Sequence, residues 1–238
     1  MKRLLATMGC TVLVAAAALA GDATAVSTSS NGGSARASAT AIGNSSSTAI
    51  AGATNGGLAV ANSAAIGWCN GYADSRSVAM ADHGVALSDS RADATGRFSG
   101  SAVADSESIA ATIGGLAVSR SEATAEGTLF GHARSRSVST ALSRYGTAVS
   151  DSRATSSGLL GSYASSESGS HAVTVGGCSI SRTRVISAAR YHAIAVSNGL
   201  GISISGVLGH SRVGLRAESR ADHFGDSRSN AVVIRIGR

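Results

Sequence analysis

Fourteen carboxylates and six histidines are the side chains through which this chain could move protons or hold a metal, and their spacing decides whether they can. His83, His132, His171, His192, His210 and His223 share no metal-ligand interval. Asp82-His83 and Asp222-His223 are adjacent pairs, and adjacent residues of a strand point to opposite faces. No Gly-x-Ser-x-Gly elbow, phosphate loop, His-Glu-x-x-His or Cys-x-x-Cys occurs. The expectation is therefore solvated histidines, no metal, no cofactor and no enzyme chemistry.

What the carboxylates do have is an arginine at a fixed interval. Asp89, Arg120, Asp151 and Arg182 recur every 31 residues with alternating sign. Arg76, Glu107, Arg136 and Glu167 do the same, with a two-residue slip at Arg136. Arg91, Glu122 and Arg153 form a third series. Opposite charges on neighbouring strands stabilise pairing and like charges oppose it, so these series are expected to be structural charge ladders one coil apart. A half-length coil would instead set Asp89 beside Glu107 and Arg120 beside Arg136.

The elements that must position such ladders are legible around them. Residues 85–115, 116–146 and 147–177 are one unit written three times, and 178–208 is a looser fourth copy. Within a unit one parity is small throughout, as in Ala86, Ser88, Ser90, Ala92 and Ala94, then Ala102, Ala104, Ser106, Ser108 and Ala110. The other parity carries the charges and cannot be buried. Each unit thus supplies two strands between glycine-bounded turns. The fold expected is an all-β parallel β-solenoid of 31-residue coils with a thin Ala/Ser core. About six such coils are expected over residues 41–238, with a bulkier C-terminal cap at about 209–238.

Composition agrees with a repetitive architecture. With 43% hydrophobic residues but only 3% aromatic, and no proline, alanine is the commonest apolar residue. Methyl groups contribute only about 0.8 kcal/mol each on burial, too little for an ordinary globular core. Residues 1–25 read as a secretory signal, with Lys2 and Arg3 before the apolar run from Leu4 to Ala20 and small-residue sites at Ala18-Leu19-Ala20 and Ala23-Thr24-Ala25. Residues 26–40, rich in Ser, Gly and Ala, read as a flexible leader. The net charge of +6 falls to +4 without Lys2 and Arg3, and the remaining bases are all arginine, interleaved with acids. Nucleic acid is therefore not expected as a partner. Cys10 falls in the signal segment, and no bridge is expected between Cys69 and Cys178, about three and a half units apart.

The steps Thr40-Ala41-Ile42-Gly43-Asn44-Ser45 and Ala64-Ala65-Ile66-Gly67 resemble the head repeats of trimeric autotransporter adhesins, in which Ala-x-Ala-Ile-Gly steps build a β-roll. The resemblance covers roughly 30 residues and implies an exported, surface-displayed, trimeric binding head. No coiled-coil stalk and no membrane-anchor strands of that family are expected from residues 41–238.

The function expected is that of a secreted or cell-surface structural or adhesive repeat protein, meeting the membrane only through export. Its partners would be itself or an extracellular surface or glycan. The candidate association stripe is the outward apolar column Leu87, Val118, Val149 and Ile180. The alternatives are a polysaccharide-active β-helix, an ice-binding solenoid or a fibre-forming one. Against ice binding, the outward mid-strand column is Asp and Arg rather than Thr.

Overall fold

In the computed structural model, residues 12–19, 22–68, 71–96, 101–160, 163–190, 194–205, 209–222 and 226–236 are described. They form sixteen strands. The first eight are β1 (Val12–Leu19), β2 (Ala23–Ser29), β3 (Ser34–Ile42), β4 (Ser45–Ala53), β5 (Leu58–Gly67), β6 (Tyr72–Asp82), β7 (Val85–Gly96) and β8 (Ser101–Ile113). The rest are β9 (Gly115–Gly127), β10 (His132–Ser143), β11 (Gly146–Leu159), β12 (Tyr163–Thr174), β13 (Gly177–Arg190), β14 (Ile194–Ser205), β15 (His210–Asp222) and β16 (Asp226–Ile236). Odd-numbered strands make one eight-stranded sheet and even-numbered strands the other, each in chain order. Successive strands alternate between sheets and pairing within a sheet is parallel, so the chain winds as a two-layered β-solenoid.

The pairing register gives the length of each coil. Val85 faces Leu116, which faces Thr147, which faces Cys178, each 31 residues on. Towards the N-terminus the coils shorten: Leu58 faces Val85 at 27 residues, Ser34 faces Leu58 at 24 and Val12 faces Ala35 at 23. Towards the C-terminus Cys178 faces His210 at 32. The solenoid thus tapers, with six coils from Leu58 to Ile236 and two shorter ones before them.

Residues 26–40 are the departure from expectation, since they lie in β2, the following turn and β3 rather than in a leader. Ala23, Ala25, Ser27 and Ser29 alternate inward and are buried, as are Ala35, Ala37 and Ala39. Here the core itself is Ala and Ser, so low complexity is the texture of the interior and not the mark of a linker. Val12–Leu19, within the expected export segment, pairs with β3 as the outermost strand of the odd sheet. Cys69, for which no bridge to Cys178 is expected, lies outside the described residues.

Ala, Ser and Gly are poor strand formers by propensity. They form strands here because only small side chains let the two sheets approach. Ser121 in β9 donates to the carbonyl oxygen of Ser106 in β8 at 2.6 Å, and Ser106 donates to that of Ser90 in β7 at 2.8 Å. A side chain of one sheet therefore reaches the backbone of the other, and one small residue fills the gap. Two files of buried hydroxyls follow. One zigzags between the sheets from Ser47 through Ser63, Ser75, Ser90, Ser106 and Ser121 to Ser168, with Oγ–Oγ distances of 2.7 to 3.1 Å. The other runs from Ser77 and Ser88 to Ser170 and Ser181. Most of these hydroxyls donate to a carbonyl oxygen of the facing sheet, using a lone pair that the strand ladder leaves spare, whereas Ser168 pairs with Ser152 through Oγ alone; elsewhere among the described residues the buried hydroxyls of Thr174 and Ser205 have no hydrogen-bond partner.

Where a larger side chain enters, glycine faces it. Val185 is the largest fully buried side chain, and a Cβ on Gly199 would lie 3.3 Å from its Cγ2. The turns impose a second glycine rule. Gly57, Gly84, Gly115, Gly146 and Gly177 stack at the start of successive odd strands, and a Cβ on each would overlap the carbonyl oxygen of the glycine one coil before.

Candidate interaction surfaces

Since the interior is closed and made of methyl and hydroxyl groups, chemistry and recognition fall to the outward parity of the two sheets. On the odd sheet the central outward column reads Asn62, Asp89, Arg120, Asp151 and Arg182. The next reads Ala64, Arg91, Glu122, Arg153 and Arg184. The register brings Asp89, Arg120, Asp151 and Arg182 one rung apart, yet among the described residues none of these four pairs within 4 Å. The close contacts lie beside them: Arg153 Nη1 is 3.7 Å from Glu122 Oε1, and Arg91 Nε donates to Asp93 two residues on at 2.9 Å. Burial raises the Asp89 carboxyl pKa above its ordinary value, and the nearby Arg120 guanidinium opposes that shift.

On the even sheet Arg76 faces Glu107, with Nε 2.9 Å from Oε2. Arg136 does not continue that column. It faces Asp105 on one side and Glu167 on the other, while Val138 faces Glu107. The two-residue slip in the sequence is thus a change of column in an unbroken 31-residue register. The column it joins contains a like-charged pair, Asp74 facing Asp105. Burial is the main cause of the raised pKa at both. Arg76 opposes it at Asp74, where Asp105, Glu107 and Asp22 add to it. Arg134 and Arg136 oppose it at Asp105, where Glu167 adds to it. His171, on the same face, is pushed below the usual histidine range by burial.

The apolar stripe Leu87, Val118, Val149 and Ile180 lies in register on the outer face of the odd sheet, half-buried, and Val60 extends it by one rung. Arg36 and Arg212 face its two ends. Beside it run Leu58, Val85, Leu116, Thr147 and Cys178, the last an exposed free thiol.

The even sheet carries an apolar band that the strand-by-strand reading of the sequence did not isolate. One column reads Val26, Ile50, Val78, Ile109, Thr140 and His171. Its neighbour reads Thr28, Gly52, Met80, Ala111, Leu142 and Val173. These columns occupy the C-terminal halves of the even strands, while the odd-sheet stripe occupies the N-terminal halves of the odd strands. The two halves meet at one set of turns, such as Asp82 to Val85. The solenoid is therefore amphipathic around its circumference, with one lateral edge flanked by apolar columns and the other by charged ones. The signal was present in Ile109-x-x-x-Ile113-Gly-Gly-Leu116-x-Val118, where outward apolar residues lie on both sides of a turn.

Among the described residues no group of three or more His, Cys, Asp and Glu side chains could hold a metal ion, and no helix is long and apolar enough to cross a membrane. No family model matches the chain, and no curated protein or solved structure matches it.

Proposed function

We propose that this protein is an exported structural or adhesive repeat protein that works by presenting its solenoid surface to copies of itself or to an extracellular surface or glycan. The observation that carries this reading is the outward column Val60, Leu87, Val118, Val149 and Ile180, five apolar side chains on consecutive rungs of a rigid sheet. Scattered surface apolar residues need no explanation, whereas a contiguous stripe marks a place of association. Export is supported by the basic start and apolar run of residues 1–25. The test is retention of the purified chain on cells, glycan arrays and abiotic surfaces, repeated with Val118→Asp and Val149→Asp. Retention that these two changes abolish carries the reading; wild type that neither adheres nor self-associates ends it.

The Asp74–Asp105 pair favours a second reading, a polysaccharide-active solenoid, because both carboxyls are raised and lie one rung apart. Release of reducing sugar by wild type, lost in Asp105→Asn, would establish it.

A further inference from the structure

We infer that the apolar band of the even sheet is a self-complementary interface, on which a second copy of this chain docks about a two-fold axis parallel to the strands and passing between β6 and β8. The inference rests on the surface-presentation reading above and names its partner.

The size pattern of one column leads to it. From β4 to β10 the outward side chains are Gly52, Met80, Ala111 and Leu142, alternately small and large, on consecutive rungs. Met80 and Leu142 stand out, at 52% and 41% exposed. A shallow groove of about 430 Å³ lies among Thr28, Gly52, Met80, Ala111 and Ile113. A two-fold axis between β6 and β8 reverses the order of rungs and keeps each column on itself. It sets Met80 against the partner's Ala111, and Leu142 against the partner's Gly52. Every large side chain then meets a small one, which is what an isologous contact requires.

Gly52 supplies an independent observation. It lies in a strand interior without positive φ, where glycine weakens a strand. The solenoid's own packing does not ask for it, because a Cβ there would meet only Thr28 Cγ2, at 3.9 Å. The buried glycines of β14 differ, since a Cβ on Gly201 would lie 2.8 Å from Val213 Cγ1 and one on Gly199 3.3 Å from Val185 Cγ2, whereas Gly169 of β12 is as open as Gly52, with only His171 Nε2 at 3.5 Å. The space over Gly52 is left for something outside the coil, and a knob of Leu142's size at the matching height is available on a second copy.

The adjacent columns meet by character rather than by size. Val78 meets the partner's Ile109, and on the charged side Arg76 meets the partner's Glu107 and Glu107 the partner's Arg76. One column further out Asp74 would meet the partner's Asp105, which limits the interface on that side. Six rungs at about 4.8 Å by about 17 Å of width cover on the order of 500 Å² per copy, so a pair buries about 1,000 Å², the lower limit for a specific interface. Association is therefore expected to depend on concentration.

The test is the mass of the full chain by light scattering across a dilution series, with circular dichroism as the control for folding. Wild type should pass from dimer to monomer on dilution. Gly52→Val should leave the fold intact or melt later, since its side chain enters open space, yet weaken dimerisation by about tenfold or more. Adding Leu142→Ala should restore the dimer. Wild type that stays monomeric at every concentration overturns the inference, as does Gly52→Val that dimerises like wild type. If Val118→Asp abolishes the dimer and Gly52→Val does not, the odd sheet is the interface; this inference then falls while surface presentation stands.

Discussion

Ser121 Oγ lies 3.0 Å from Ser106 Oγ and donates to the Ser106 carbonyl at 2.6 Å, joining the two sheets through a hydroxyl where a soluble domain would place leucine. Ser137 repeats the contact onto Ser121, so each serine of the file is both donor and acceptor. Inter-sheet spacing is thereby set by a hydrogen-bond length rather than by the bulk of apolar side chains.

Ser121→Ala removes one donor and one acceptor from this file and is expected to lower stability by about 1 kcal/mol. Ser121→Leu must push the sheets apart and should cost roughly 1–3 kcal/mol. Thermal melts of the two variants check the order; a leucine variant as stable as wild type would contradict a closed interior.

Arg120→Asp places three acids in one column with Asp89 and Asp151. A loss of about 1 kcal/mol is expected, diminishing in high salt because the column is solvent-facing. Combining it with Asp89→Arg and Asp151→Arg restores sign alternation over those three rungs and should recover much of the loss. Denaturant midpoints of the single and triple variants decide whether these rungs are coupled.

Gly201→Ala brings a Cβ to 2.8 Å from Val213 Cγ1. It should destabilise the C-terminal coils by roughly 1–3 kcal/mol. Val213→Ala clears that space, so the double variant should be more stable than Gly201→Ala alone, a non-additivity that a double-mutant cycle measures directly.

Acidification should stabilise the even sheet through Asp74 and Asp105. Their folded pKa values are raised, so the folded state binds these protons more tightly than the unfolded chain does. The penalty is present in full above the folded values and is relieved as pH falls through them towards the ordinary aspartate range, about 4. Asp74→Asn removes the share of Asp74, whose carboxyl is raised by burial and by Asp105. Its melting temperature should therefore vary less with pH between about 7 and about 4 than that of wild type. An equal or steeper dependence would show that the facing pair does not govern it.

Much of the architecture is dictated by the chain alone. A parity of Ala and Ser against charged and larger residues, repeated every 31 positions, leaves one face that can be buried, and the alternating signs of Asp89, Arg120 and Asp151 select the 31-residue register even though it also sets Arg153 against Arg184 and Asp74 against Asp105. Glycines such as Gly115 and Gly146 mark where successive coils touch backbone to backbone. These features are local or strictly periodic, and periodicity survives in one dimension. The N-terminal coils were less legible, because Ala25, Ser27 and Ala35 have the composition of a linker and their 23- to 24-residue pitch differs from that of the later repeats.

Only the tertiary structure decided what meets across the layers and around the edge. That Ser121 reaches Ser106 and not another serine depends on the stagger between sheets, which no spacing within one strand records. Arg136 moves to the Asp105 column because the backbone register holds while the side-chain pattern shifts, and only the strand pairing separates those two possibilities. The apolar edge exists because the C-terminal halves of even strands and the N-terminal halves of odd strands are folded against one turn. Residues such as Met80 and Leu87, unremarkable apart, thereby flank one lateral edge of the molecule. A closed winding brings together what a linear period keeps in separate columns.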